Sequence, residues 1–250
     1  GTEGKIVGLR NYLELFSSSS FWGTMGFTLI YVGSTIVLKL IWGMIMALAL
    51  NQPLKGRNLY RALLFLPWAL PTLTSVLAWR WMLGDVGGIV NYGLLQLGLI
   101  DRPLGWLADP TLARFSVILV NVWRGAPFFG ISILSALQAI PDYLYEAALI
   151  DGASSWQAFR RITLPAIQNV VALVTLVSTI WTLADFEIIW IMTRGGPANA
   201  THVFSTFSYL TAFRNLDLAK GVAISLFMVP FSLLLMIVTL RFVFREEGGA

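Results

Sequence analysis

Asp185 and Glu187 are two carboxylates two residues apart, while Asn121 and Arg124 are an amide and a guanidinium three apart with Trp123 between them. Paired carboxylates can do general acid–base work, but helix positions i and i+2 diverge by about 200°, which aims these two away from each other. Asn121 and Arg124, about one turn apart, can share a helix face. Carboxylates and amides beside aromatic platforms such as Trp123, Trp181 and Trp190 suit sugar hydroxyls, which need several directional hydrogen bonds and an apolar surface against the ring. The competing reading is a structural Arg124–Asp185 ion pair holding two helices together, and the residues alone leave both open.

Other chemistries are short of parts. The chain has no Cys and one His, His202, so disulfides, thiolate metal sites, His-based metal sites and His-dependent triads are not expected. No G-x-x-x-x-G-K phosphate loop occurs, so this chain does not hold ATP by that device. The 17 Lys and Arg are scattered, with no run longer than Arg160-Arg161, whereas nucleic-acid binding needs a clustered basic face. No short repeated filter-like loop supports a channel.

The elements that carry these residues are apolar. Of 250 residues 57% are hydrophobic and 12% charged, with a mean hydropathy of +0.74; soluble domains run at about 25% charged. A membrane helix needs about 20 mainly apolar residues. Five stretches qualify, at about 21–50, 60–83, 112–138, 164–187 and 218–240. The fold expected is all-α, a polytopic transmembrane helix bundle forming a single transmembrane domain over 1–250. Pro67 and Pro71 should bend the second span, since each removes a backbone donor.

Lys39 and Arg80 read as anchors, the first snorkelling and the second near a helix end. Between spans, Val86–Ile100 is too short and Gly-rich to cross and reads as a short interfacial helix, with Trp106 near the headgroups, or equally as a packed loop. Loops 52–61, 139–163 and 241–250 hold seven Lys and Arg in 45 residues, against five in 78 for 1–20, 84–111 and 188–217. That asymmetry favours a cytoplasmic location for the first set.

The polar island "YEAALIDGASSWQAFRRITLP", Tyr145 to Pro165, lies in that set. Asp142 is placed to cap a first helix, Asp151-Gly152 to end it, and Ser154 with Gln157 to form a capping box for a second. Trp156, Phe159 and Ile162 fall on one side of the second helix. The unit reads as helix, glycine turn, helix: an elbow with polar faces for a soluble partner, or an amphipathic segment resting on lipid.

The island also reads Glu146-Ala147-Ala148, three residues, Gly152, nine residues, Ile162, Thr163, Leu164-Pro165. In this the chain resembles the integral-membrane permease subunits of ABC importers, the inner-membrane components of binding-protein-dependent transport systems. "GLRNY", "RALLFLPWALP", "IPDYLYEAALIDGAS" and "RGGPANAT" extend the resemblance over nearly the whole chain, to the carbohydrate branch that handles maltose, glycerol phosphate and related solutes.

The resemblance implies the type I importer permease fold, with the cytoplasmic island at 141–163 as the element that couples to an ATPase. It assigns that coupling to Glu146, Ala147, Ala148, Asp151, Gly152, Arg160, Arg161, Ile162, Leu164 and Pro165. The substrate pathway would draw on Asn121, Trp123, Arg124, Trp181, Asp185 and Glu187, and the loop carrying Gly195, Gly196 and Pro197 would dock the solute-binding protein.

Expected partners are a second, different permease, two ATPase subunits that hold ATP and Mg, an extracytoplasmic binding protein and the lipid of the cell (inner) membrane, with no nucleic acid. This chain needs no cofactor or metal of its own. Members of the branch carry at least one more span ahead of "GLRNY", so a preceding span is expected. The solute is a sugar or, on the alternative reading, a phosphate ester, polyol or peptide.

Overall fold

The computed structural model describes residues 7–53 and 55–247, and among them every regular element is helical. In chain order these are α1 (Arg10–Phe16), α2 (Ser19–Asn51), α3 (Arg57–Ala69), α4 (Thr72–Met82), α5 (Ile89–Gln96), α6 (Pro110–Gln138), α7 (Asp142–Ile150), α8 (Ser155–Ala158), α9 (Leu164–Leu183), α10 (Glu187–Met192), α11 (Phe204–Tyr209), α12 (Leu218–Leu226) and α13 (Met228–Glu247). Two wide π-turns, Phe159–Thr163 and Leu210–Arg214, join α8 to α9 and follow α11.

Four described stretches are long and apolar enough to cross a membrane: Ser19–Asn51, Pro110–Gln138, Ser155–Leu183 and Leu218–Thr239. A fifth exists if α3 and α4 count as one broken span, for the chain bends by 91° between them. The two prolines do different things there. Pro67 lies inside α3 without ending it, whereas Pro71 forces Leu70 into extended backbone, ψ 141, because its ring excludes the helical conformation for the preceding residue. The expected kink is therefore a full break, placed by Pro71 alone.

The fourth expected span is shifted. It begins at Ser155 and ends at Leu183, so Asp185 and Glu187 lie beyond its end. The short second helix of the elbow is its first turn rather than a separate piece. Pro165 explains the wide turn between them: it offers no N–H to the carbonyl four residues back, and the helix there bonds at the longer spacing, Leu164 N to Phe159 O.

The chain forms two compact units, each assembled from separated segments. One holds residues 1–34, 71–121 and 180–234; the other 35–70, 122–179 and 235–250. In the first, Phe27, Tyr31, Val76, Val117, Val120, Ile188 and Ile189 form a buried core, and Leu15, Phe21, Phe204, Ala223 and Ile224 a second. α10 packs on α4, and α12 packs on α1 and α11.

In the other unit Ala47, Leu50, Phe129, Ile133, Leu137, Ile140 and Ile167 make the core. Its tightest approach is at Gly43 of α2, where an added Cβ would strike Phe129 Cβ and lie 2.9 Å from Gly130 N. Glycine lets two membrane helices meet backbone to backbone, which is how such helices gain contact without a hydrophobic driving force. Gly43→Leu is expected to cost about 1–3 kcal/mol through overpacking and to lower the unfolding temperature of the purified complex; an unchanged melting curve would contradict the close contact.

Candidate functional site

Three groups of residues carry the chemistry expected of the chain. The first is the elbow. α7 starts at Asp142, which is its first helical residue; Pro141 stands at the cap position and no side chain caps the helix. Asp142 thus acts through its charge on the helix dipole, since Pro141, lacking an N–H, already suits the preceding extended position.

The turn that ends α7 is fully hydrogen-bonded. Gly152, at φ +74, sends its N–H to Leu149 O at 3.1 Å, and Ala153 N reaches Ala148 O at 2.9 Å. This paired closure requires a left-handed residue at Gly152. The next helix opens on the anticipated box, Ser154 N to Gln157 Oε1 at 2.7 Å and Gln157 N to Ser154 Oγ at 3.3 Å. Tyr145 and Thr163 exchange a hydroxyl bond of 2.9 Å that clips α7 to the wide turn.

The elbow exposes the polar groups expected and apolar ones beside them. Tyr143, Leu149, Ile150 and Trp156 are all exposed, Ile150 at 86%, and Trp156 stacks on Phe159 with ring centroids 5.6 Å apart. Among the motif residues, Glu146, Ala147, Asp151, Gly152, Arg160, Arg161, Leu164 and Pro165 are exposed, while Ala148 and Ile162 are half-buried. A hollow of about 300 Å³ opens between Ala148, Asp151, Gly152, Gln157, Arg161 and Ile162. The exposed apolar side chains thus lie beside a hollow lined by Asp151, Gln157 and Arg161.

The second group joins two of the expected pathway residues to one that sequence reading missed. Tyr31 donates its hydroxyl to Asp185 Oδ2 at 2.6 Å, and Asn121 Nδ2 donates to both Tyr31 Oη at 2.8 Å and Asp185 Oδ2 at 2.9 Å. Asp185 occupies the break between α9 and α10; its Oδ1 accepts from Ile188 N at 3.3 Å and its carbonyl from Ser205 Oγ at 2.6 Å. Tyr31 and Asn121 are buried, and Asn121 Oδ1 is buried with no hydrogen-bond partner among the described residues. No local signal marks Tyr31, since its partner lies 154 residues away.

The remaining pathway candidates are placed separately. Trp123 and Arg124 belong to the other unit, where Arg124 Nη2 donates to Leu70 O at 3.2 Å, a carbonyl freed by the Pro71 break. Trp181 and Glu187 are exposed. Lys39 is not the snorkelling anchor expected: it is 4% exposed, donates to Ser178 Oγ at 3.5 Å, and lays its stem on Gly125, where an added Cβ would come within 2.9 Å of Cδ. Arg80 donates to Ile191 O at 2.9 Å, closing the end of α10. Trp106 is tied inward, its indole N–H on Asn91 Oδ1 at 3.0 Å.

The third group is the loop at 193–203. Gly195 has φ +86, and the His202 ring lies against its backbone so closely that any Cβ there would overlap the imidazole. Thr201 Oγ1 bonds Gly196 O at 2.6 Å and pairs with Thr193 Oγ1 at 2.7 Å; Arg114 Nε reaches Ala200 O at 2.9 Å. The loop is therefore a closed, cross-braced structure rather than a plain turn, with Gly196 and Pro197 at its tip.

His202 is buried and its Nδ1 bonds Thr206 Oγ1 at 3.1 Å. Burial holds its pKa down to about 4. A depressed histidine is neutral in the folded loop, so its contribution is complete above the unfolded value of about 6.5 and is lost as pH falls toward about 4. Amide protection factors across 193–206, corrected for the intrinsic pH dependence of exchange, are expected to fall between pH 7 and pH 5 and to stay constant in His202→Phe; equal pH dependence in both would contradict this assignment.

The comparisons with known proteins agree on one family. Residues 39–247 match the family described as binding-protein-dependent transport system inner membrane component. The trehalose/maltose transport system permease protein MalF of Thermococcus litoralis is 40% identical over 225 residues, 90% of this chain and 75% of that one. The lactose transport system permease protein LacF of Rhizobium radiobacter is 35% identical over 213 residues, 84% and 71% of the two chains. A solved bacterial ABC transporter involved in import of the acidic polysaccharide alginate superposes with a TM-score of 0.86 at 26% identity, covering 97% of this chain and 85% of its counterpart. The all-helical fold, the membrane-length helices, the intact Glu146–Pro165 motif and these matches together make the chain a transport component rather than an enzyme, a member of the binding-protein-dependent transport system inner membrane component family of ABC transporter permeases.

Proposed function

We propose that this permease carries a sugar, or a closely related polyhydroxylated solute, delivered by an extracytoplasmic binding protein. The observation that supports the reading is the buried Tyr31–Asn121–Asp185 cluster, whose Asn121 Oδ1 accepts no hydrogen bond from the described residues. A hydroxyl-rich solute supplies the donor that this oxygen lacks, and buried polar groups discriminate strongly between ligands that satisfy them and ligands that do not. Trehalose, maltose, lactose and alginate, the solutes in the names of the similar transporters, are all of that class.

Movement is driven by ATP hydrolysis on two separate subunits that hold ATP and Mg, seated on the cytoplasmic elbow. Its exposed Leu149, Ile150 and Trp156 supply the apolar contact, and Glu146 and Arg161 the directional one. A second, different permease completes the pathway, and the braced loop around Gly195, Gly196 and Pro197 docks the loaded binding protein. Trp123, Arg124, Trp181 and Glu187 are assigned supporting places along the solute's route.

The test is the complete transporter in liposomes with its binding protein. Sugar-loaded binding protein is expected to stimulate ATP hydrolysis several-fold over the unloaded protein. Stimulation by a peptide or a phosphate ester and by no sugar would overturn the assignment.

A further inference from the structure

The turn that follows α4 leaves an open hollow of about 440 Å³, within the usual size of small-molecule sites, about 300–1,000 Å³. Arg80, Trp81, Leu83, Asp85, Val86 and Leu107 are among its walls. All lie in the unit that holds the Tyr31–Asn121–Asp185 cluster, and none belongs to that cluster. Loop 84–111 is one of those poor in Lys and Arg, which are expected outside the membrane.

Three side chains on this hollow are uncommitted. Trp81 is 83% exposed, and its ring has no hydrogen bond or ring contact among the described residues. The Asp85 carboxylate has no hydrogen bond or ion pair there. Arg80 uses Nη1 alone, on Ile191 O at 2.9 Å, so Nε and Nη2 remain available. The two charges border one hollow without pairing. Behind them the frame is braced by Asn91, which is 3% exposed. Its Oδ1 accepts from Leu104 N and Trp106 Nε1, each at 3.0 Å, and its Nδ2 donates to Leu104 O at 3.0 Å and Gly84 O at 3.4 Å. Asn91 thus ties together the two segments that border the hollow. Gly88 closes the turn with no room for a side chain, since an added Cβ would strike Gly84 O. A site held in shape beforehand loses less freedom when a ligand arrives.

An exposed indole is a flat apolar surface, a carboxylate accepts from hydroxyls, and a guanidinium donates to oxygens. A cyclic sugar presents all three complements at once: an apolar C–H face, hydroxyl donors and oxygen acceptors. A headgroup anchor accounts for Trp81 alone, and a free anion would meet the Asp85 charge. We propose that this hollow is a second sugar subsite, in which a ring stacks on Trp81 and is held through its hydroxyls by Asp85 and Arg80. The proposal rests on the reading that the solute is a sugar. Through Arg80 the hollow is tied to α10, which leads directly into the 193–203 loop. A sugar held there stays beside the place where a docked binding protein releases it, which raises its local concentration.

The test uses the complete transporter in nanodiscs, irradiated with maltose and with lactose that carry a photoreactive diazirine, then digested and mapped by mass spectrometry. Labelling within 80–87 is expected, and excess free sugar is expected to suppress it. Trp81→Ala and Asp85→Ala should each lower the labelling about fivefold. Their unfolding temperatures should match that of the unaltered complex, because neither side chain has a partner to lose. Trp81→Phe keeps an aromatic face and should lower the labelling less. No labelling at 80–87 by either sugar, or equal labelling in Trp81→Ala and Asp85→Ala, would overturn the proposal. Labelling that excess sugar leaves intact, as a tryptophan facing lipid would give, would overturn it too. Sugar-stimulated ATP hydrolysis without this labelling removes the subsite and leaves the sugar assignment standing.

Discussion

Gly152→Pro is expected to abolish transport while leaving the membrane helices inserted. Proline fixes φ near −65° and has no N–H, whereas Gly152 sits at φ +74 and donates to Leu149 O. The substitution therefore breaks the turn and a hydrogen bond together, a change of about 3 kcal/mol or more. That would swing Leu149, Ile150 and Trp156 away from their present arrangement. Space around Gly152 is open, with nothing within 4 Å of an added Cβ, so Gly152→Ala should cost only the left-handed strain, about 1–2 kcal/mol, and transport in part. Glu146→Arg, a charge reversal on an exposed face, should weaken retention of the ATPase subunits without disturbing the turn. Co-purification of those subunits and solute uptake into vesicles read the two effects. Normal uptake by Gly152→Pro combined with Glu146→Arg would remove the elbow from the coupling mechanism.

Asp185→Leu is expected to be the most damaging single change in the unit that holds it. It removes the acceptor of the Tyr31 O–H and of Ile188 N, while Asn121 Nδ2 keeps its bond to Tyr31 Oη. Two lost acceptors at about 1–3 kcal/mol each come to about 2–6 kcal/mol, a large part of the stability of an ordinary domain. Asp185→Asn keeps the shape and one acceptor oxygen and should be milder. Asn121→Asp sets a second carboxylate beside Asp185 and should cost transport more than stability. Thermal unfolding of the purified complex, measured beside uptake, separates the two quantities. If Asp185→Leu melts like the unaltered protein, the cluster is not the buried network described.

Much of this was legible without coordinates, for identifiable reasons. Apolar length is a local property, so α2, α6 and the later long helices were visible as runs with few charges. The Schellman-type turn and the capping box at Ser154 are also local, set by residues within six positions of each other, and both formed as expected from Gly152 and from Ser154 with Gln157. Proline effects were half legible. A proline inside a helix and a proline that ends one look alike in sequence: Pro67 lies within α3, whereas Pro71 follows its extended end at Leu70.

What was missed has a common cause. Lys39 was expected to snorkel because long cationic side chains in apolar helices usually do, but Gly125 leaves room for its stem and Ser178 accepts its ammonium. The Asn91 side chain that accepts from Trp106 lies 15 residues away from it. The elbow shows the polar groups expected, among them Glu146, Asp151, Arg160 and Arg161, and also exposes Leu149, Ile150 and Trp156. In each case the neighbours that decide burial are invisible to periodicity.

By itself, the sequence determined that this chain is an all-helical membrane protein, that it contains a glycine-broken elbow between Asp142 and Pro165, and that it resembles an importer permease, because hydropathy, turn chemistry and motif spacing are written in consecutive residues. Tertiary structure alone decided that Tyr31, Asn121 and Asp185 form one buried network and that the His202 ring lies against Gly195. Those facts depend on which distant side chains meet, and hydrogen-bond geometry and burial exist only once the helices have packed.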